Sequence, residues 1–142
     1  MISTSHFHPM LVHFPIALVV FGFMFYFASL IFKKEENLAK TAAYLLFVGT
    51  LTAITALLSG ILFTSDLSGS AGEAQETHEM FAWITVGILF ATSLLRLFII
   101  NKNKSNSTLK WVEFVLYGLA TISVSITGFL GGSLVYNFMM PL

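Results

Sequence analysis

Residues 9–32 read PMLVHFPIALVVFGFMFYFASLIF, and this stretch decides the fold. It contains no Asp, Glu, Lys or Arg, and it slightly exceeds the roughly 20 apolar residues that carry a helix across a hydrocarbon core of about 30 Å. Three similar runs follow, at 41–63, 80–100 and 114–136, and Arg96 is the single charged residue in any of them. A helix in water would carry a polar stripe along one side. These runs carry none, and only helices or closed barrels satisfy the backbone inside a bilayer. The expectation is an all-α integral membrane protein: one domain over 1–142, four transmembrane helices in a bundle, with spans at about 9–32, 41–63, 79–100 and 111–136.

Composition agrees. Of 142 residues, 56% are hydrophobic and 10% charged, with a mean hydropathy of +0.85. Seven Lys plus Arg balance seven Asp plus Glu, so the basic footprint that nucleic acid requires is missing, and the expected surroundings are a lipid bilayer. There is no cysteine. Disulfides, thiolate nucleophiles, Cys-ligated zinc, iron–sulfur clusters and covalently attached haem are thereby excluded, and any metal or redox chemistry must run through histidine.

The first run is too long for a signal-peptide core, has no Lys or Arg before it and is followed by no small-residue cleavage site, so it reads as a retained span. Lys33, Lys34 and Lys40 lie in the first connection; Arg96, Lys102, Lys104 and Lys110 lie at or between spans three and four. By the positive-inside rule these two connections face the cytoplasm, and both termini and the 66–79 connection face outward. Tyr26, Tyr44, Trp83, Trp111 and Tyr136 fall mainly toward span ends, as an aromatic belt does.

An internal echo is also present. Thr55-Ala-Leu-Leu-Ser-Gly-Ile-Leu62 resembles Ser123-Val-Ser-Ile-Thr-Gly-Phe-Leu130, aligning Gly60 with Gly128 and bringing His13 and His78 into corresponding places. Two hairpins related by a pseudo-twofold axis along the membrane normal are expected.

All four histidines, His6, His8, His13 and His78, fall on the outward side. Pro9 suits a first helical position, so His6 and His8 are expected on an extended lead-in. His13 then lies about 6 Å deeper, and Pro15, which cannot donate to the Leu11 carbonyl, implies a kink or a freed acceptor beside it. Ser70 and Glu73 have capping-box spacing, which starts the third helix near Ala71 and puts His78 about two turns in. Spans one and three run in the same direction. His13 and His78 are therefore expected at similar depth on opposite sides of one axis, the arrangement that holds a haem b iron, with His8 as the substitute ligand. Beside this stands the plainer reading of hydrogen-bonded interfacial histidines.

Small residues form two seams, Gly49, Ala53, Ala56 and Gly60 on span two and Gly118, Thr121, Ser125, Gly128 and Gly132 on span four. Close helix packing explains them, and Gly60 and Gly128 also give a flat macrocycle room. Arg96, five turns below His78, is expected to pair with Glu113. Asp66, Glu73, Glu76 and Glu79 make an acidic connection, from which a carboxylate could orient an imidazole. No hydrolase constellation or phosphate-cradling loop is present.

The stretch His8-Pro-Met-Leu-Val-His-Phe-Pro-Ile-Ala-Leu18 resembles the opening signature of a widespread bacterial family of small membrane proteins, the domain of unknown function 2231 type. The resemblance continues through Ser59-Gly60, His78, Arg96 and Gly131-Gly-Ser-Leu-Val-Tyr136. It implies a bacterial inner membrane and, from cytochrome-type modules joined to some members, a haem or electron-transfer role. One position departs: Phe138 stands where a closing histidine is common, leaving Met139, Met140 or the remaining histidines as substitutes. Three functions are carried forward. The first is a haem b electron-transfer component of a respiratory membrane complex. The second is a non-catalytic accessory subunit of a larger complex or a homo-oligomer. The third is a copper or zinc site built from His6 and His8 with His13 or His78.

Overall fold

The computed structural model describes residues 7–102 and 106–138, with side chains from residue 8 onward. His6, Lys104, Met139 and Met140 lie outside the described residues. A short helix α1 (Phe7–Leu11) leads into α2 (His13–Ile31), followed by α3 (Glu36–Phe63), α4 (Ser70–Lys102) and α5 (Ser107–Asn137). Four helices are long and apolar enough to cross a membrane: His8–Ile31, Glu36–Phe63, Ser70–Lys102 and Ser107–Asn137. They overrun the expected spans because polar flanks with good helix formers, such as Glu36–Lys40, continue the hydrogen-bond ladder past the apolar layer.

Two local expectations are corrected. His8 sits in the helical turn α1 and not on an extended lead-in. Pro9 falls within the first turn, where its missing N–H is not needed, so the turn tolerates it. The ladder breaks at Val12, three residues before Pro15, as expected of a proline that cannot donate to Leu11. Helix α4 starts at Ser70 itself: Gly69 takes a left-handed φ of 66° and its carbonyl accepts the Glu73 N–H at 3.2 Å, so Ser70 is inside the helix and not its cap.

The bundle is inside out relative to a soluble protein. Phe14, Phe21, Leu62, Trp83 and Phe129 are exposed, while Thr50, Ser59, Thr85, Thr92, Ser123 and Glu113 are buried. Because lipid is as apolar as leucine, close packing and interior hydrogen bonds hold such a bundle together. Helix α2 packs most extensively on α3 and α4 on α5, and α2–α5 and α3–α4 contacts close the ring. Val19 and Leu89, both fully buried, fill its centre.

The two hairpins repeat each other, in a different register from the one expected. At an offset of 70, Pro15 matches Thr85, Val19 matches Leu89 and Gly22 matches Thr92, all buried. On α3 and α5 the offset is 71, pairing Ala42 with Glu113, Leu46 with Tyr117, Gly49 with Ala120 and Ala53 with Val124, again all buried. One extra residue in the second hairpin accounts for the change. Gly60 therefore corresponds to Gly131, not Gly128, and His78 corresponds to His8, not His13. The apolar alphabet aligned residue types, whereas burial aligns helix faces.

At the other end of the bundle, Arg96 Nη1 donates to Glu113 Oε2 at 3.3 Å, forming the expected pair. Arg96 Nη2 also donates to the Ala39 carbonyl at 3.0 Å, and Tyr26 donates to Glu113 Oε2 at 2.9 Å. The cluster thus joins all four long helices. Nearby, the buried Tyr117 hydroxyl has no hydrogen-bond partner among the described residues, and a methyl on Gly22 would stand 1.9 Å from it. An unpaired buried hydroxyl costs about 1–3 kcal/mol. Tyr117→Phe is expected to match or exceed the parent's thermal stability in detergent, while Gly22→Ala lowers it.

Candidate functional site

The five residues expected to surround a haem, His8, His13, His78, Gly60 and Gly128, line one cavity of about 470 Å³ at the histidine end of the bundle. Its walls are mainly apolar, including Pro15, Ile16, Val86 and Val124, and the α3–α4 connection contributes Ser65 and Leu67. Gln75 straps that connection down. Its Oε1 accepts the Leu67 N–H at 2.9 Å, and its Nε2 donates to the Ser65 carbonyl at 3.3 Å and to Glu79 Oε1 at 3.2 Å.

The ring that faces His78 belongs to His8. Their centroids are 6.2 Å apart with planes at 79°. His13 lines the same cavity but is exposed, and its Nδ1–H donates to the Pro9 carbonyl at 2.8 Å. The reason is helical: five residues turn about 140° beyond a full circle, so with α1 helical His8 and His13 cannot share a face. Had residues 6–8 been extended, as the sequence suggested, this geometry would not follow.

Each of the facing rings sits in the same cradle. His8 Nδ1–H donates to the Ala56 carbonyl at 3.1 Å, and a methyl added to Gly60, four residues later, would meet His8 Cε1 at 3.1 Å. His78 Nδ1–H donates to the Thr127 carbonyl at 3.1 Å, and a methyl on Gly131, again four residues later, would meet His78 Cε1 at 3.0 Å. One carbonyl and one glycine, a helical turn apart, thus hold each imidazole. Carbonyl oxygens can only accept, so both Nδ1 atoms carry the proton and both Nε2 atoms keep a free lone pair. Among the described residues neither Nε2 makes a hydrogen bond.

The acidic connection does not orient these rings; backbone carbonyls do, and Glu79 bonds Gln75 instead. Gly128 borders the cavity, but a methyl there would meet Ile16 Cδ1 at 2.7 Å, so its smallness lets α2 and α5 approach. Gly118 similarly faces Phe23, whereas Ser125 is exposed. Sequence reasoning missed Gly131, Thr127 and Ala56 as ring supports. The signal was there in the offset of 70 between His8 and His78 beside 71 between Gly60 and Gly131. Gly131→Ala is expected to displace the His78 ring and change its ¹⁵N NMR signals. Gly132→Ala, with open space at its Cα, should leave them unchanged.

A family model described as a predicted membrane protein (DUF2231) matches residues 4–140. The chain belongs to this family. Nothing matches this DUF2231 chain among the curated proteins or the solved structures compared. The match covers nearly the whole chain, including both histidine cradles and the Arg96–Glu113 cluster.

The donor set limits what the DUF2231 site can hold. Among the described residues no group of three or more His, Cys, Asp or Glu is placed to bind a metal ion. Structural zinc takes four protein ligands and catalytic zinc three. A macrocycle that brings four nitrogens of its own needs only two axial imidazoles. With a metal–nitrogen bond of about 2 Å, a bound ring centre stands roughly 3 Å from the metal, and two opposed rings stand roughly 6 Å apart. The His8–His78 separation of 6.2 Å meets that requirement.

Proposed function

We propose that this chain is a haem b electron-transfer component of a bacterial cytoplasmic membrane, in which His8 and His78 would hold the iron. The carrying observation is the pair of imidazoles 6.2 Å apart, each giving its Nδ1–H to a backbone carbonyl so that Nε2 keeps its lone pair, in a cavity within the size range of cofactor sites, about 300–1,000 Å³. The lack of cysteine limits the haem to a non-covalent type. When bound, such a haem supplies one reversible electron.

The chain's residues then have assigned tasks. Ala56 and Thr127 hold the tautomers and orient the rings. Gly60 and Gly131 let the rings lie against α3 and α5. The apolar wall, which includes Pro15 and Val124, would surround the group with hydrocarbon, and Gln75 holds the α3–α4 connection that contributes Ser65 and Leu67 to the lining. The basic residues put the histidine end on the extracytoplasmic side, so electrons are exchanged with a respiratory partner there.

An optical spectrum of the detergent-purified chain tests this reading. Haem predicts a Soret band and, after reduction, a sharp α band. A colourless protein carrying stoichiometric copper or zinc would replace haem with a bare metal site. A colourless, metal-free protein with a stable co-purifying subunit would leave the accessory role in its place.

A further inference from the structure

The two cradles differ in the acceptors they offer the ring N–H. The Ala56 carbonyl accepts the helical N–H of Gly60 and also the Ser59 hydroxyl, at 2.7 Å. A carbonyl oxygen has two lone pairs, so His8 Nδ1–H arrives as a third donor. Ser59 Oγ stands 2.9 Å from His8 Nδ1, closer than the carbonyl at 3.1 Å, and having given its proton to Ala56 it has a lone pair to offer. Ser59 is itself buried. At the 71-residue offset its counterpart is Leu130, which has no hydroxyl. The His78 N–H therefore has the Thr127 carbonyl alone.

We infer that Ser59 is a positioning residue that makes His8 the stronger donor of the two neighbouring imidazoles and so favours the oxidised state of an iron that both would hold. The inference rests on the haem reading above. An acceptor at Nδ1–H pushes electron density to the opposite nitrogen, and a more basic nitrogen stabilises the higher metal charge. Two acceptors on α3, the Ala56 carbonyl and Ser59 Oγ, define the direction of the His8 N–H, although α1 itself has only five residues.

The test uses the full chain in detergent with Ser59→Ala, Ser59→Gly and Ser59→Thr. In the haem-loaded protein, Ala and Gly are expected to change the ferric-to-ferrous affinity ratio about tenfold. The midpoint potential then rises by about 59 mV for a one-electron couple, and Thr stays near the parent. In cofactor-free protein, the His8 ring ¹⁵N signals are expected to shift with Ala and Gly and not with Thr. Loaded Ala and Gly variants at the parent potential overturn the inference, and unchanged His8 signals in the cofactor-free protein overturn the contact itself. A parent chain that takes up no haem overturns the reading beneath it, while the ring signals still decide whether Ser59 holds His8.

Discussion

His8→Ala is expected to abolish the low-spin haem spectrum, His78→Ala to do the same, and His13→Ala to leave it in place. Each of the first two substitutions would remove one of the two nitrogens proposed to hold the iron, so the loss of haem affinity should exceed the roughly 10–100-fold that follows loss of an outer support. His13 is the informative control. It lines the same cavity, but its Nδ1–H is committed to Pro9 and it lies on a different face of the helical start from His8. Spectral titration of each purified variant with haem checks all three. A His13→Ala protein that loses the spectrum while His8→Ala keeps it would reverse the assignment.

Glu113→Ala is expected to be the most destabilising single change in the bundle, by about 3–5 kcal/mol, because it strands the Arg96 charge in a buried cluster. The two side chains are 14% and 2% exposed, so solvent cannot compensate. The repeat shows that packing alone does not require the pair: the counterparts of Arg96 and Glu113 are Tyr26 and Ala42. Replacing both partners at once, Arg96→Met with Glu113→Leu, should therefore recover most of the loss, since well-packed apolar residues replace buried ion pairs at little cost. Thermal unfolding in detergent measures this. Equal destabilisation by the single and double changes would show that the charges do not act as a pair.

Much of this was legible in the sequence. Four long apolar runs, with Arg96 the single charge among them, fix the helices and their number, because a bilayer admits few other solutions for such a chain. The Arg96–Glu113 pair was also readable, since a charge within a span needs a partner at its own depth. Rotation of the helices was harder to read. With lipid outside and small residues inside, polarity does not mark the buried face, and the Gly118–Gly132 seam was placed about a residue away from the face that meets α4. The same ambiguity favoured His13 over His8. The outcome turned on whether residues 7–11 coil, which Pro9 alone does not decide. Carbonyl supports such as Ala56 and Thr127 leave no trace in residue identity; they emerge only when helices are set side by side.

Electron paramagnetic resonance of the oxidised, haem-loaded chain, with histidine labelled in ¹⁵N, tests the central claim most directly. Two imidazoles with crossed planes on one iron predict a strongly anisotropic low-spin signal with hyperfine coupling to two histidine nitrogens, both lost in the His8 and His78 variants. A high-spin signal, or coupling to a single histidine, would contradict the opposed pair.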